Sequence, residues 1–490
     1  MTTTAQSTAQ STSQSPTYRA TDVTTGKVLS EHPFMTGDQV THALTASHDA
    51  FTTWRDVPLA DRVAVIGRAA DIFIERIDEL ALIITGEMGK PLVESKGEIE
   101  FSADILRYNA DHAAEQLATT VLDDTDESTS YLEKLPVGPI LGVMPWNYPY
   151  YQIARFAAPN LLVGNTILLK HAETVPAAAL ATEEVFQQAL TEAGHPAEAY
   201  LNLFATHDQI STVIADPRVQ GVSLTGSERA GAAIASQAGT ALKKAVLELG
   251  GSDPYVVLSS DDPRAQARDA LAVRLENGGQ VCNGNKRLIV MDDIYDDFVD
   301  EIVARTAEYT PADPRLETTG AVASAGTDHP TYGPLSSFAA ADRLVGQVDR
   351  AVAAGATLHT GGRRVTDGEF ADGAYVSPGV LTDVPVGSDI YYEEFFGPII
   401  QVFRVSSDEE ALELANNTRF GLGSAVFATD VKRAEAVARR IDAGMTGAGM
   451  IPPEVEYLPF GGVKSSGYGR ELGAFGMDEF INKRLFSVKK

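Results

Sequence analysis

Thiols are all but missing from this chain. Among 490 residues there is one cysteine, Cys282, which excludes an internal disulfide framework and fits a reducing compartment. Basic residues are also in short supply. Lys and Arg number 39 against 67 Asp and Glu, giving a formal charge of −28, and such a surface repels nucleic acid and anionic membranes. The nine histidines are scattered and form no ligand-spaced cluster, which argues against a metal site. No uninterrupted apolar run reaches the roughly 18 residues that a membrane span needs. The opening stretch, "MTTTAQSTAQSTSQSPT", has neither a basic head nor an apolar core, so residues 1–16 are read as a disordered tail rather than a signal peptide. A cytoplasmic protein is expected, without nucleic-acid or membrane partners.

What is present is ordinary globular material in unusual charge. The length exceeds what one core serves, so two or three domains are expected. Acid groups such as "DDTDE" (Asp123 to Glu127) and "MDDIYDD" (Met291 to Asp297) are spread along the chain and read as a solvated acidic coat. With Arg outnumbering Lys, that coat suggests adaptation to high salt, where screening weakens self-repulsion.

The chain changes texture near residue 138. Before it, "DRVAVIGRAADIFIERIDELALIITGEMGK" (Asp61 to Lys90) and "EIEFSADILRYNADHAAEQ" (Glu98 to Gln116) carry apolar residues at helical spacing. After it, the short runs "GPILGVM", "NTILLK", "AYLNLF", "GVSLTG" and "AVLELGG" alternate with helical stretches, the pattern of a parallel sheet covered by helices. Ligands of such sheets sit beyond the carboxyl ends of the strands, so the segments "PWN", "TGS" and "LGG" should face one crevice. A second strand–helix series after Cys282, from "KRLIVM" to "KRAEAVARRI", predicts a second α/β domain packed closely on the first.

Several short stretches carry groups suited to chemistry, each with a plain structural alternative. Cys282 lies in "GGQVCNGNKR", a turn-like setting that suits a reactive thiol better than core filler. "LELGG" sets Glu248 at a strand end, where desolvation would raise its pKa toward that of a general base; an acid bonded to nearby N–H groups is as good a reading. "MPWNYP" exposes Asn147 on a rigid turn, able to donate to an oxyanion or simply to make the turn. In "GSERAG", Gly226 and Ser227 could meet a pyrophosphate at a helix N-terminus, or Ser227 could merely cap that helix. Lys170 and Glu173 of "LLKHAE" could bind adenosine hydroxyls or form a surface ion pair.

Taken together and in order, these motifs resemble the aldehyde dehydrogenase superfamily. PWN, K-x-x-E, GS-x-x-x-G and ELGG are followed by a Gly-flanked Cys 34 positions after the Glu (282 − 248), then by "EEFFGP" (Glu393 to Pro398) and "PFGGVKSSGYGRELG" (Pro459 to Gly473). The resemblance covers roughly residues 17 to 490. It implies an α/β fold with a Rossmann-like parallel-sheet domain at 17–116 and 137–248 and a catalytic α/β domain at 249–447. It also implies a small β oligomerisation element at 117–136 and 448–490, forming a homodimer or homotetramer. Carried over residue by residue, it makes Cys282 the nucleophile, Asn147 the oxyanion donor and Glu248 the activator of the hydrolytic water. It further implies that Trp146, Lys170, Glu173, Gly226, Ser227, Leu249, Glu394 and Phe396 line the cofactor site.

Glu173 argues for NAD over NADP, since a carboxylate on the ribose hydroxyls would repel a 2′-phosphate. Segments around "LLKHAE" and "QIARFAAPNLLVGN" are similar to the succinate-semialdehyde dehydrogenase branch, in which Arg155 would read the substrate carboxylate; an Arg bonded to helix-terminal carbonyls is as good a reading. Two features depart from that branch. Glu276 stands where one group of semialdehyde enzymes has a second Arg, and "GMTGAGMIPPEVEYLPFGG" replaces the usual "GMVFIN" run. Another aliphatic aldehyde is the alternative substrate. Release of the thioester to CoA is disfavoured by the presence of Glu248. An inactive nucleotide-binding scaffold is disfavoured by the retention of both Cys282 and Glu248.

Overall fold

The computed structural model describes residues 17–490 except 322, 325, 326 and 328, so the tail expected at 1–16 lies outside the described residues. The first helical region is two helices rather than one. Leu59–Glu75 and Ile77–Met88 meet at Arg76, whose backbone leaves the helical region, and Gly89 closes the second with a left-handed cap. Leu92–Gln116 follows as a long helix packed against Leu59–Glu75 and against the helix Tyr151–Val163.

Apolar runs at the predicted places form a six-stranded sheet. Its order is Gly467–Tyr468, Lys244–Glu248, Gly221–Thr225, Pro139–Met144, Thr166–His171 and Tyr200–Asn202, and only the first strand is antiparallel. The chain enters at Pro139–Met144, steps outward on one side, then crosses to Gly221–Thr225 on the other. The strand order therefore reverses beside Pro139–Met144, and beyond such a reversal ligands bind. Trp146 and Asn147 leave one of the flanking strands there, and Gly226 and Ser227 leave the other.

The second sheet has seven strands in the order Thr357–Thr360, Gly379–Thr382, Ile399–Val405, Arg287–Met291, Pro254–Val257, Ala425–Phe427 and Gly447–Ala448, parallel apart from the first. Its near-unbroken burial explains why those strands read as continuous Val/Ile/Leu runs.

A third sheet pairs Thr120–Asp124, Ser128–Pro136 and Ile481–Lys489, all antiparallel. Of residues 448–490, Ile481–Lys489 join it. Gly467–Tyr468 instead extends the first sheet, and Ser466 is tied into the junction by Leu249 N–H to its carbonyl at 3.0 Å and its hydroxyl to the Gly250 carbonyl at 2.7 Å. Among the described residues no helix is long and apolar enough to cross a membrane.

Candidate active site

Cys282 is partly exposed and lines two cavities at once. One, of about 270 Å³, is walled by Trp146, Asn147, Ser227, Leu249, Glu394 and Phe396. The other, of about 520 Å³, runs past Glu94, Glu98, Tyr148, Tyr151, Glu276 and Glu454. A thiol at the junction of two cavities can be approached from both sides at once.

The turn that carries Cys282 is held from below by a lysine that the sequence reading passed over. Lys286 Nζ donates to the carbonyls of Val281 at 2.6 Å and Cys282 at 2.7 Å, and pairs with Glu394 Oε1 at 2.9 Å. Glu394 Oε1 also accepts from Gly251 N at 3.1 Å. One network thus joins the nucleophile loop to the carboxylate expected at the nicotinamide ribose. Burial nevertheless pushes the Cys282 thiol up to about 12, with Arg155 and Lys286 pulling it back and Glu454 and Glu248 adding to the rise. The resting sulfur is therefore a thiol, not the partly ionised group that a reactive cysteine suggests, and it must shed its proton during turnover.

Asn147 is buried and held at both ends of its amide. Gln152 Nε2 donates to Asn147 Oδ1 at 3.0 Å, and Asn147 Nδ2 donates to the Gln280 carbonyl at 3.1 Å. This fixes the second N–H of Nδ2 on the cavity wall beside Cys282, as an oxyanion donor requires.

Glu248 is 2% exposed, and neither carboxylate oxygen has a hydrogen-bond partner. Burial drives its pKa well above the usual carboxylate range, with Glu471 adding to the rise and Arg155 opposing it. A desolvated, unpartnered carboxylate is poised to take a proton. It lies behind the cavity walls, in the space left by Gly461. That glycine has φ of +150°, and a Cβ there would stand 2.7 Å from Glu248 Oε1.

Arg155 is not where the sequence reading put it. It is almost fully buried, ion-paired with Glu471, and donates to Tyr151 Oη at 3.0 Å and Thr225 Oγ1 at 3.2 Å. The rings of Tyr151 and Phe460 each lie 4.7 Å from its guanidinium carbon. It lines neither cavity that meets Cys282. Every face is engaged by protein, so the expectation that it binds the substrate carboxylate is corrected: it braces the wall behind Glu248. Its partner Glu471 lies 316 residues away (471 − 155), a pairing that one sequence does not signal.

Of the residues expected at the cofactor, Trp146, Gly226, Ser227, Leu249, Glu394 and Phe396 line one cleft, and Lys170 and Glu173 do not. Trp146 and Phe396 meet edge to face at 5.7 Å. Ser227 caps the helix Glu228–Thr240 by accepting from Ala230 N at 3.3 Å, while Gly226 N–H is spent on the Glu248 carbonyl at 2.9 Å. Gly231 lets that helix press on Leu249, because a Cβ there would stand 2.6 Å from its methyl carbons. The donor set fits a dinucleotide: a helix N-terminus and Arg343 for phosphates, and Glu394 for ribose hydroxyls. The cleft continues outward past Arg343 and Arg350. Lys170, near the end of the strand Thr166–His171, and Glu173, just beyond it, form an ion pair at 3.5 Å.

A profile of the Aldehyde dehydrogenase family matches residues 10–486. The chain belongs to the aldehyde dehydrogenase family. The enzyme is 45% identical over 461 residues to a succinate-semialdehyde dehydrogenase (NADP+) from Deinococcus radiodurans, covering 94% of this chain and 92% of that one. A succinate-semialdehyde dehydrogenase (NADP+) 1 from Mycobacterium tuberculosis is 39% identical over 461 residues, covering 94% of this chain and 96% of that one. Among solved structures, succinic semialdehyde dehydrogenase from Streptococcus pyogenes in complex with NADP+ superposes with a TM-score of 0.88 at 39% identity, covering 96% of this chain and all of that one.

These relatives overturn the expectation of NAD. The inference from Glu173 treated its carboxylate as a fixed acceptor. In the structure its side chain is 38% exposed and leans on the buried Lys170. An arriving phosphate can take the ammonium while the glutamate turns to solvent, so the acid does not veto a 2′-phosphate.

Proposed function

We propose that the enzyme oxidises succinate semialdehyde, the substrate in its relatives' names, to succinate with NADP+. The observation that carries this reading is Cys282 at the meeting point of a dinucleotide cleft and a second cavity, with Asn147 on the wall of the cleft and the buried Glu248 outside both. The aldehyde enters along the larger cavity, and Cys282 Sγ adds to its carbonyl carbon as the thiol proton departs. Asn147 Nδ2 and the backbone N–H of Cys282 hold the oxygen that becomes negative. The nicotinamide of NADP+, when bound, supplies the hydride acceptor. Loss of hydride leaves a thioester on Cys282, and Glu248 takes a proton from the water that cleaves it, freeing acid and thiol.

Glu276 suits a carboxylated aldehyde in one of its two forms. Burial holds its pKa above the usual range, and the protonated acid is a donor facing the cavity. Assembly follows the third sheet, where Val121, Leu122, Leu485 and Phe486 are exposed; it suits contact with a second copy of the chain.

The test is NADPH formation with succinate semialdehyde, in the intact enzyme and in Cys282→Ala and Glu248→Gln. Cys282→Ala should abolish turnover. Glu248→Gln should give a burst of NADPH and then stall. Undiminished turnover in Cys282→Ala would refute the reading.

A further inference from the structure

We propose that Lys286 is a positioning residue of the oxyanion site: its buried ammonium aims and polarises the peptide unit whose N–H is that of Cys282. The inference rests on the thiol chemistry of the preceding section and adds a group that acts on the oxyanion only through the backbone.

The first ground is peptide geometry. A peptide unit is planar and trans, so its C=O and N–H point in opposite directions. The N–H of Cys282 shares its unit with the Val281 carbonyl, and Lys286 Nζ donates to that oxygen at 2.6 Å. Gly284 N adds a longer bond to the same oxygen, at 3.4 Å. With the carbonyl anchored on the ammonium, the N–H is turned away from it, and among the described residues no protein group accepts from it. The next unit is held too, through the Cys282 carbonyl at 2.7 Å from Lys286 Nζ. Gly251 packs against this second oxygen, where a Cβ would stand 2.4 Å away. Both peptides that flank the nucleophile are therefore fixed by one side chain.

The second ground is charge. An ammonium on a carbonyl oxygen draws electron density through the amide and strengthens the N–H on the far side as a donor. Lys286 is fully buried, so solvent screens it little. It pairs with Glu394 Oε1 at 2.9 Å, an oxygen that Gly251 N shares at 3.1 Å, so the carboxylate sets how much of the charge reaches the carbonyls. Arg274, a second buried cation under this loop, donates to the carbonyls of Gly279, Phe395, Gly397 and Ile399. It fixes the path of the loop but touches neither peptide of Cys282. Lys286 also joins Arg155 in opposing the burial that raises the Cys282 thiol. Its effect on the thiol and its effect on the oxyanion must therefore be read apart.

The experiment uses two reagents that consume the same thiolate, on the full chain without NADP+. Cys282 is the one cysteine, so both report on it. Attack on 4-nitrophenyl acetate forms a C–S bond, moves the carbonyl electron pair onto oxygen, and then expels 4-nitrophenolate to leave an acetyl thioester. Attack on iodoacetamide forms a C–S bond and expels iodide, with no oxyanion. The thiolate fraction enters both rates, so the ratio of first-turnover ester rate to alkylation rate isolates the oxyanion. Lys286→Met keeps the length and removes the charge, and should lower that ratio by on the order of tenfold. Two rates that fall together, with the ratio unchanged, overturn the inference, because a structural or thiol-ionising role predicts that result. Glu394→Gln serves if Lys286→Met does not fold. There the lysine stays and its neutralising carboxylate goes, so the ratio should rise above that of the unaltered enzyme; an unchanged or lower ratio overturns the inference. Failure of the unaltered enzyme to react with either reagent would instead defeat the preceding section, so the two failures are distinct.

Discussion

Asn147 has one amide N–H fixed on Gln280 and its carbonyl oxygen held by Gln152, so the remaining N–H is aimed without freedom to turn. A preorganised donor of this kind is worth about 2.7–4 kcal/mol of barrier. Asn147→Ala should therefore lower kcat by a hundredfold or more, with KM little changed, in steady-state NADPH assays. Glu276 gives a second prediction at this scale. Tyr148 donates to it, Lys90 draws its pKa down, and Glu454 pushes it up alongside burial, with burial dominant. Below its raised pKa it is a neutral donor, and above it is an anion. kcat/KM for succinate semialdehyde relative to that for the uncharged propanal should therefore fall as pH rises and the anion comes to repel the substrate carboxylate. Deprotonation of Cys282 and Glu248 enters both substrates alike and cancels. A ratio that does not change with pH would show that Glu276 does not face the substrate.

At the level of elements, the site is assembled from strand ends of two sheets and closed by a loop from the C-terminal region. Gly461 is the point of that closure that meets Glu248. Gly461→Ala would drive a methyl group into Glu248 Oε1 and strain a backbone at φ +150°. The expected result is loss of hydrolysis with the NADPH burst retained, read by rapid mixing; full steady-state activity would mean that Glu248 does not depend on this glycine. The same comparison shows what a sequence can convey. The strand ends PWN, TGS and LGG were legible because each motif is local and its periodicity names the element that carries it. The break at Arg76 was not, since the apolar spacing continues through it. Nor was the fate of Arg155, because the decisive partner, Glu471, arrives from the far end of the chain. The acidic cavity was half legible. Glu276 stood out against its branch, but Glu94, Glu98 and Glu454 come from segments that only the fold brings together.

For the molecule as a whole, charge is the dominant feature. A net −28 is spread over a surface laced with pairs such as Arg404 with Asp292 at 2.6 Å and Arg440 with Glu409 at 2.7 Å. Exposed pairs of this kind contribute little individually, so they do not offset the excess of acid. Screening does: the Debye length falls from about 10 Å at 0.1 M to about 3 Å at 1 M salt. The melting temperature should accordingly climb as KCl is raised from 0.1 M to 1 M and beyond, by scanning calorimetry at fixed protein concentration. A decrease would show that the acidic coat is not what limits stability.

The segment around residues 460–471 closes the pocket of Glu248 and supplies the counter-ion of Arg155, long after Cys282 in the order of synthesis. A change in this late segment is therefore felt at the base that frees the product, more than 200 positions earlier in the chain (461 − 248 = 213).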